Sequence, residues 1–310
     1  MRQFKPTMKT APILFLLLFS SLFLNGCFIK SIAVDSIADS LAGTGDTWSS
    51  DDDPELVREA IPFSLKLMES VLAAAPRHTA LLTAACEDFT EYAYAYVQQD
   101  ADFVADKDYP RAQELRHRAK NLYLRARNYG LRALDTRHST FSQDLYTDSK
   151  KAVLEGTKDD VAALYWTGVS WMAAISLSKE DPTLLAEIPL AEALIYRAYA
   201  LDPDFDDGSI ESFLITYEGS KPVLMGGSDQ KARDHFKRAV ELSGGLELGP
   251  YVNFAEAVDE KDQNQEEFVD LLNQALAIDI EKKPSARLVN LIMRKRAEWL
   301  LSQVDTIFVK

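Results

Sequence analysis

The sequence predicts an all-α chain: a tetratricopeptide-like array of helical hairpins, each stacked on the next as an α-solenoid. Three observations predict it. First, five segments close an amphipathic run alike, with a small residue, an apolar or alanine position, and then a helix stop. Ala198-Tyr199-Ala200-Leu201-Asp202-Pro203 is the fullest case, and Val71 to Pro76, Gly130 to Asp135, Ala239 to Gly244 and Ala275 to Asp279 vary on it. The small residue lets one helix approach another closely, and Pro, Gly or Asp just beyond cannot comfortably continue the helix. Second, no segment carries the alternating pattern of a strand. Third, the last three stops lie about 41 and about 36 residues apart, near the period of about 34 expected for such repeats. Earlier stops are about 60 to 67 residues apart, which holds either an extra helix pair or an insertion.

The elements follow in order. Arg2, Lys5 and Lys9 precede an apolar run from Ile13 to Leu24, short of the roughly 20 residues needed to span a bilayer. Residues 1–26 read as a secretory signal. The signal ends Leu24-Asn25-Gly26-Cys27, similar to a bacterial lipobox, in which cleavage before the cysteine is followed by acylation. Asn25 departs from the small or β-branched residue usual there, and the alternative is an ordinary signal with a chance cysteine. Acyl chains at about 0.8 kcal/mol per buried CH₂ would make attachment through Cys27 effectively permanent. Phe28 rather than Asp follows the cysteine, which favours the outer membrane, with the body facing the periplasm. Residues 27–53 read as a lipidated N-terminus and tether, with a weak helical stripe over 31–42 and a Gly/Ser/Thr/Asp stretch over 43–53. Residues 54–310 form the repeat domain.

Asp53-Pro54 supplies an N-cap and N1 pair, and Leu56, Ile61, Leu65, Met68 and Leu72 share one helical face up to Pro76, with Pro62 a possible kink. A partner helix starts at Thr79. Residues 106–135 form the longest helical pattern, locally basic through Arg111, Arg116, Arg118, Arg125, Arg127, Arg132 and Arg137. These are either a solvated face paired with neighbouring acids or a surface for an acidic partner. Residues 138–149 are polar and turn-like. The 158–177 helix concentrates Tyr165, Trp166 and Trp171 beside small residues, a pattern shared by tight core packing and by the lining of an apolar cavity. Asp181-Pro182 opens a helix ending at Asp202. Asp202, Asp204 and Asp206 fail as a calcium loop, because Asp207 stands where the turn requires Gly and Phe213 where a bidentate Glu is needed. Helices follow at 209–218, 228–243 (capped by Ser228 or Asp229), 249–260, 264–279 and 284–303.

Composition bounds the function. Hydrophobic residues make up 47% of the 310, ample for a continuous core. There are 34 basic residues against 48 acidic ones, with no dense basic cluster, so nucleic acid is not an expected partner. The two cysteines are too few for a disulfide framework, and Cys86 reads as a buried small hydrophobe. His78, His117, His138 and His235 lack partners at metal-ligand spacing. No catalytic or nucleotide motif occurs, so neither an enzyme nor a cofactor is expected.

The C-terminal half carries a resemblance. Tyr165-Trp166 with Trp171, Arg197-Ala198 leading into Leu201-Asp202-Pro203, Gly208, Pro222, Gly226-Gly227, Ala232 and Phe236 form its first part. Phe268, Leu271-Leu272, Arg287-Leu288, Asn290, Ala297 and Leu300-Leu301 continue it. Together they resemble the TatT family of lipoproteins associated with TRAP transporters, although Ser228 intervenes between Gly227 and Asp229. The resemblance covers about residues 54–310. It implies a periplasm-facing homotrimer that associates with the periplasmic solute-binding protein of a TRAP transporter. It also implies a cleft or pore that holds or passes a small hydrophobic ligand, for which Tyr165, Trp166, Trp171, Phe213, Tyr217 and Tyr251 are the expected lining. The competing expectation is a repeat adaptor in envelope assembly that works only through protein contacts.

Overall fold

The computed structural model describes residues 26–43 and 45–308, without the side chains of 26–32, 45 and 46. The apolar leader therefore lies outside the described residues, and for Cys27 only helical backbone is described. Among the described residues the chain is all-α with no strand. The longer helices are α1 (Gly26–Ala42), α2 (Pro54–Ala74), α3 (Thr79–Tyr92), α4 (Tyr109–Arg137), α5 (Val161–Ser176) and α6 (Ile188–Leu201). They continue as α7 (Ser209–Ser220), α8 (Asp229–Leu242), α9 (Gly249–Phe254), α10 (Gln265–Leu276) and α11 (Arg287–Ser302).

Their ends follow local chemistry. Asp53 accepts from the Glu55 and Leu56 amides at 3.1 and 3.0 Å, answering two of the donors that the first turn of α2 leaves open. Ser228 does the same for α8 through the Lys231 amide at 3.3 Å. Helix α2 runs on through Pro62. The run opened by Asp181-Pro182 divides instead, into Pro182–Leu185 and α6. Pro189 has no N–H to give and stands in the first turn of α6, where that donor is not needed. The polar 138–149 stretch holds the short helix Phe141–Thr147, with Phe141 and Leu145 fully buried.

Neighbours in sequence are neighbours in space: α3 packs on α4, α4 on α5, α5 on α6, and α7 on α8. Small residues set these approaches. A Cβ on Gly130 of α4 would meet Cys86 Sγ at 2.9 Å and Thr167 Cβ at 3.0 Å, so α3, α4 and α5 converge there because no side chain intervenes. Cys86 is fully buried, and burial pushes its thiol up to about 12.

The two ends of the chain also meet. Arg296 of α11 holds Glu256 with two bonds of 2.6 Å and reaches Asp102 at 3.3 Å. Phe103 packs at a tilt against Trp299 at 5.3 Å, and Arg287 donates to the Ser50 carbonyl at 2.9 Å. The segment expected as a tether is thus partly built into the body. Residues 26–42 and 45–49 are helical, Ala38 is fully buried, and Trp48 packs on the core. The arrangement brings α11 back onto the N-terminal part of the chain at Ser50, Asp102 and Phe103.

Candidate functional site

Two wide π turns, Ala93–Gln98 and Ala255–Asp259, interrupt otherwise regular helices, a geometry found in single turns and often at functional places. Each delivers one group to Arg296: Tyr94, whose hydroxyl meets Met293 Sδ at 3.8 Å, and Glu256. Burial works to strip the Arg296 proton, but the Glu256 carboxylate outweighs it and holds the guanidinium charged. These charges are buried but matched.

A second group of acids is not matched. Glu87, Asp88 and Glu91 lie within five residues of α3, with 87 and 91 one turn apart on the same face. Among the described residues, no donor or cation stands within hydrogen-bonding or ion-pair reach of any of the three. Burial, reinforced by Glu91, Asp88 and Asp206, pushes the Glu87 carboxyl well above the usual range. Burial takes Asp88 up to about 7. Glu91 rises to about 8, through burial first and then Asp88 and Asp206. Yet Glu91 is solvent-exposed and Glu87 and Asp88 are half-buried. The three carboxylates thus reach water on one side while the protein packed behind them raises their pKa values.

A further acid, Asp206 in the turn before α7, acts on Glu87 and Glu91. Asp206, Asp207 and Gly208 have φ of 49°, 51° and 103°, three successive left-handed residues of which only the glycine is at ease. Ser209 Oγ holds Asp206 Oδ2 at 2.6 Å, and Lys283 bridges Asp207 at 2.8 Å and Glu247 at 2.6 Å. Tyr165 borders the acids, donating to the Ser209 carbonyl at 2.9 Å. Its hydroxyl is pushed up by burial and then by Asp206, Glu87 and Glu91. Beside Glu87 a recess opens as a cavity of about 240 Å³ between the end of α1 and helices α3 and α5, with Arg137 and Asp159 at its rim.

The aromatic residues expected to line one cleft fall into separate groups. Tyr165 touches Trp166 at 5.0 Å and Phe205 at 5.7 Å. Trp171 is fully buried against Tyr146, with Arg127 over its ring at 4.8 Å and its N–H on Glu187 at 2.8 Å. In this structure it fills core and faces no open space. Phe213 stacks on Tyr217 at 6.0 Å, and the Tyr217 hydroxyl donates to Glu192. Tyr251 packs edge-on against Phe236 at 5.3 Å, in the C-terminal core. Among the described residues no ring contact joins these groups, and of the six only Tyr165 is coupled to the acids of the recess. The acid row was the feature passed over in the sequence. Its signal was Glu87-Asp88-x-x-Glu91 on an otherwise apolar helix, but missing partners leave no mark in a sequence.

Each of the seven arginines singled out on α4 finds a partner. Arg111 pairs Glu114 at 2.9 Å, Arg116 Asp102 at 3.4 Å, Arg125 Glu69 at 3.5 Å, Arg127 Glu187 at 3.3 Å and Arg137 Asp160 at 3.5 Å. Arg118 donates to Tyr92 and Arg132 to the Pro76 carbonyl, both at 3.1 Å. The basic face is internally compensated, as the paired-surface expectation held. Among the described residues, no three His, Cys, Asp or Glu side chains are placed to hold a metal ion, and no helix is long and apolar enough to cross a membrane.

Comparison with known proteins adds two findings. The model of a family described as the TRAP transporter T-component matches residues 50–308. An uncharacterized protein of Treponema pallidum (strain Nichols) is 29% identical over 308 residues, covering 94% of this chain and 95% of that protein.

Proposed function

The chain belongs to the TRAP transporter T-component family, and from that premise we propose that it docks the periplasmic solute-binding protein of a TRAP transporter and holds a small solute in its central recess. The observation that supports this reading is the water-reached cavity of about 240 Å³ between the end of α1 and helices α3 and α5. Such a container without a catalytic constellation suits transfer better than turnover. We further propose that Cys27 carries the lipid anchor, that the body faces the periplasm from the outer membrane, and that three copies assemble. The test is native mass spectrometry of the full chain in detergent, alone and mixed with the periplasmic solute-binding proteins of its own organism. A trimer that captures one of them supports the reading. A monomer that captures none overturns both the docking and the assembly.

A second reading, an adaptor acting by protein contacts alone, is favoured by one surface feature. Val223, Leu224 and Met225 stand out from the loop before α8, Leu224 completely exposed. The loop is fixed by Met225 N–H to the Pro222 carbonyl at 2.8 Å and Gly226 N–H to Val223 at 2.9 Å. A rigid apolar knob of this kind binds a partner with little ordering cost. Leu224→Asp abolishing partner capture, with Glu91→Gln leaving both solute and partner binding intact, would move the weight to the adaptor.

A further inference from the structure

We propose that the outer face of α2 is an interaction surface for a second copy of this chain, the two helices running antiparallel across a two-fold axis. This inference goes beyond the transport reading and does not rest on it.

Helix α2 is apolar on two sides. Val57, Leu65, Met68 and Leu72 are buried in the body. Leu56, expected beside them, turns outward instead. With Ala60, Phe63, Leu67, Ser70 and Ala74 it makes a second row whose spacings alternate four and three, the period of a coiled-coil seam. Such positions lie on one side of an α-helix, and every one of these is apolar or small. The row stands open: Phe63 is 74% exposed, Leu56 57% and Leu67 37%. Helix α2 packs on α3, on α1 and, less, on α11, so its far side is an edge of the molecule. Large apolar side chains scattered singly need no explanation, but three in one row mark a surface that is meant to be covered.

The row is complementary to itself. In an antiparallel pair the alternate steps of one seam meet the opposite steps of the other. Ala60 then faces the partner's Phe63 and Leu67 faces the partner's Leu56, and the two-fold axis repeats both contacts. A ring over a methyl group is the match of volumes that close packing needs. Parallel packing would set Phe63 against itself and Ala60 against itself, ring on ring beside a gap. The charges agree with the antiparallel choice. Glu59 and Lys66 flank the row on the same side, both exposed, and the antiparallel pair brings Glu59 towards the partner's Lys66 at each end of the contact. Among the described residues Glu59 has no ion-pair partner, and Lys66, 69% exposed, has only Glu69 three residues on. A lipid surface suits this face less well, because Asp51, Asp52, Asp53, Glu55 and Glu59 crowd its N-terminal end and would repel anionic headgroups.

The experiment is sedimentation equilibrium of the full chain in detergent. Phe63→Asp is expected to halve the mass of the assembly, from two copies to one, or from six to three where three copies also associate through another face. Phe63 lies mostly in water, so this variant should keep the helical circular dichroism of the parent. Glu59→Lys and Lys66→Glu should each weaken the pairing about tenfold, since each sets two like-charge contacts across the axis. Both reversals in one chain restore the attraction and should return the affinity to within about threefold of the parent. A mass that Phe63→Asp leaves unchanged overturns the proposal, and so does a double reversal no better than the single ones. A parent that sediments as single copies, with Phe63→Asp abolishing capture of a solute-binding protein, would assign the row to that partner and overturn the pairing as well. Capture without pairing sinks this inference alone, and pairing without capture sinks the docking alone.

Discussion

Two groups of interior charge on the same helical run are treated oppositely. Past the first π turn, Asp102 is bound into the cluster of Arg296, Glu256 and Arg116, where each charge has an opposite one at 2.6 to 3.4 Å. One stretch earlier on the same run, Glu87, Asp88 and Glu91 stand without an ion-pair partner among the described residues. Removing a charge from water is costly in both places. In the first, geometry offsets the cost and the result is a clasp. In the second the cost stands, and the folded protein answers with raised carboxyl pKa values and an opening to water. Compensated charge fixes the architecture here, and uncompensated charge is what remains available to a ligand.

Four substitutions probe this contrast, and they fall in order of expected size. Arg296→Met should cost about 3 kcal/mol, because it leaves the half-buried Glu256 without its cation and Asp102 with Arg116 alone; urea unfolding at pH 7.5 measures it. A cost under 1 kcal/mol would mean that the clasp is decorative. Arg58→Met removes a two-pronged bond to Asp100 of 2.6 and 2.9 Å and the stacking of Arg58 over Tyr96. The half-buried setting puts the loss at about 2 kcal/mol, by the same assay.

Glu91→Gln should act in the opposite direction, raising stability by about 1 kcal/mol at pH 8.5, a figure kept small because water reaches the side chain. The sign follows from the pKa values. Folding raises Asp88 from 3.8 to about 7 and Glu91 from 4.5 to about 8. At these two groups the folded protein thus holds more protons than the unfolded chain across that window, and their contribution to stability falls as pH rises from about 4 to about 8. The gain from Glu91→Gln should therefore be larger at pH 8.5 than at 5.5, and equal gains at both would place Glu91 in ordinary solvent. Arg111→Ala, which breaks an exposed pair with Glu114, should change stability by less than about 0.5 kcal/mol. Differential scanning calorimetry would resolve it from the larger three.

What could be read from the sequence was local. Asp53-Pro54, Ser228 and Leu201-Asp202-Pro203 mark helix ends through chemistry confined to a few neighbouring residues, and the structure places ends at all three. Gly130 was legible as a close approach, though not that Thr167 and Cys86 would be what it approaches. The segment 43–53 read as tether because Gly, Ser and Asp favour loops. Its order comes from Trp48 on the core and from Arg287, 237 positions away. The partition of aromatic rings was hidden for the same reason, since spacing shows that Trp171 shares a helix with Tyr165 but not that Arg127 and Glu187 enclose it. Likewise, nothing around Glu87 announces that no arginine arrives.

The clasp has a kinetic side. Asp102 and Arg296 are 194 positions apart, whereas the helix-to-helix contacts between them are short-range and can form as soon as each pair of helices exists. Contacts of long sequence separation form late, because the chain between their ends must be ordered first. The clasp on the N-terminal part of the chain therefore does not exist until the final long helix has been made and has swung back to the beginning. A chain that stops short of residue 287 would display Glu256 without its cation and leave Asp102 with Arg116 alone. Completion of synthesis and closure of the fold become one event, decided by a single arginine arriving last.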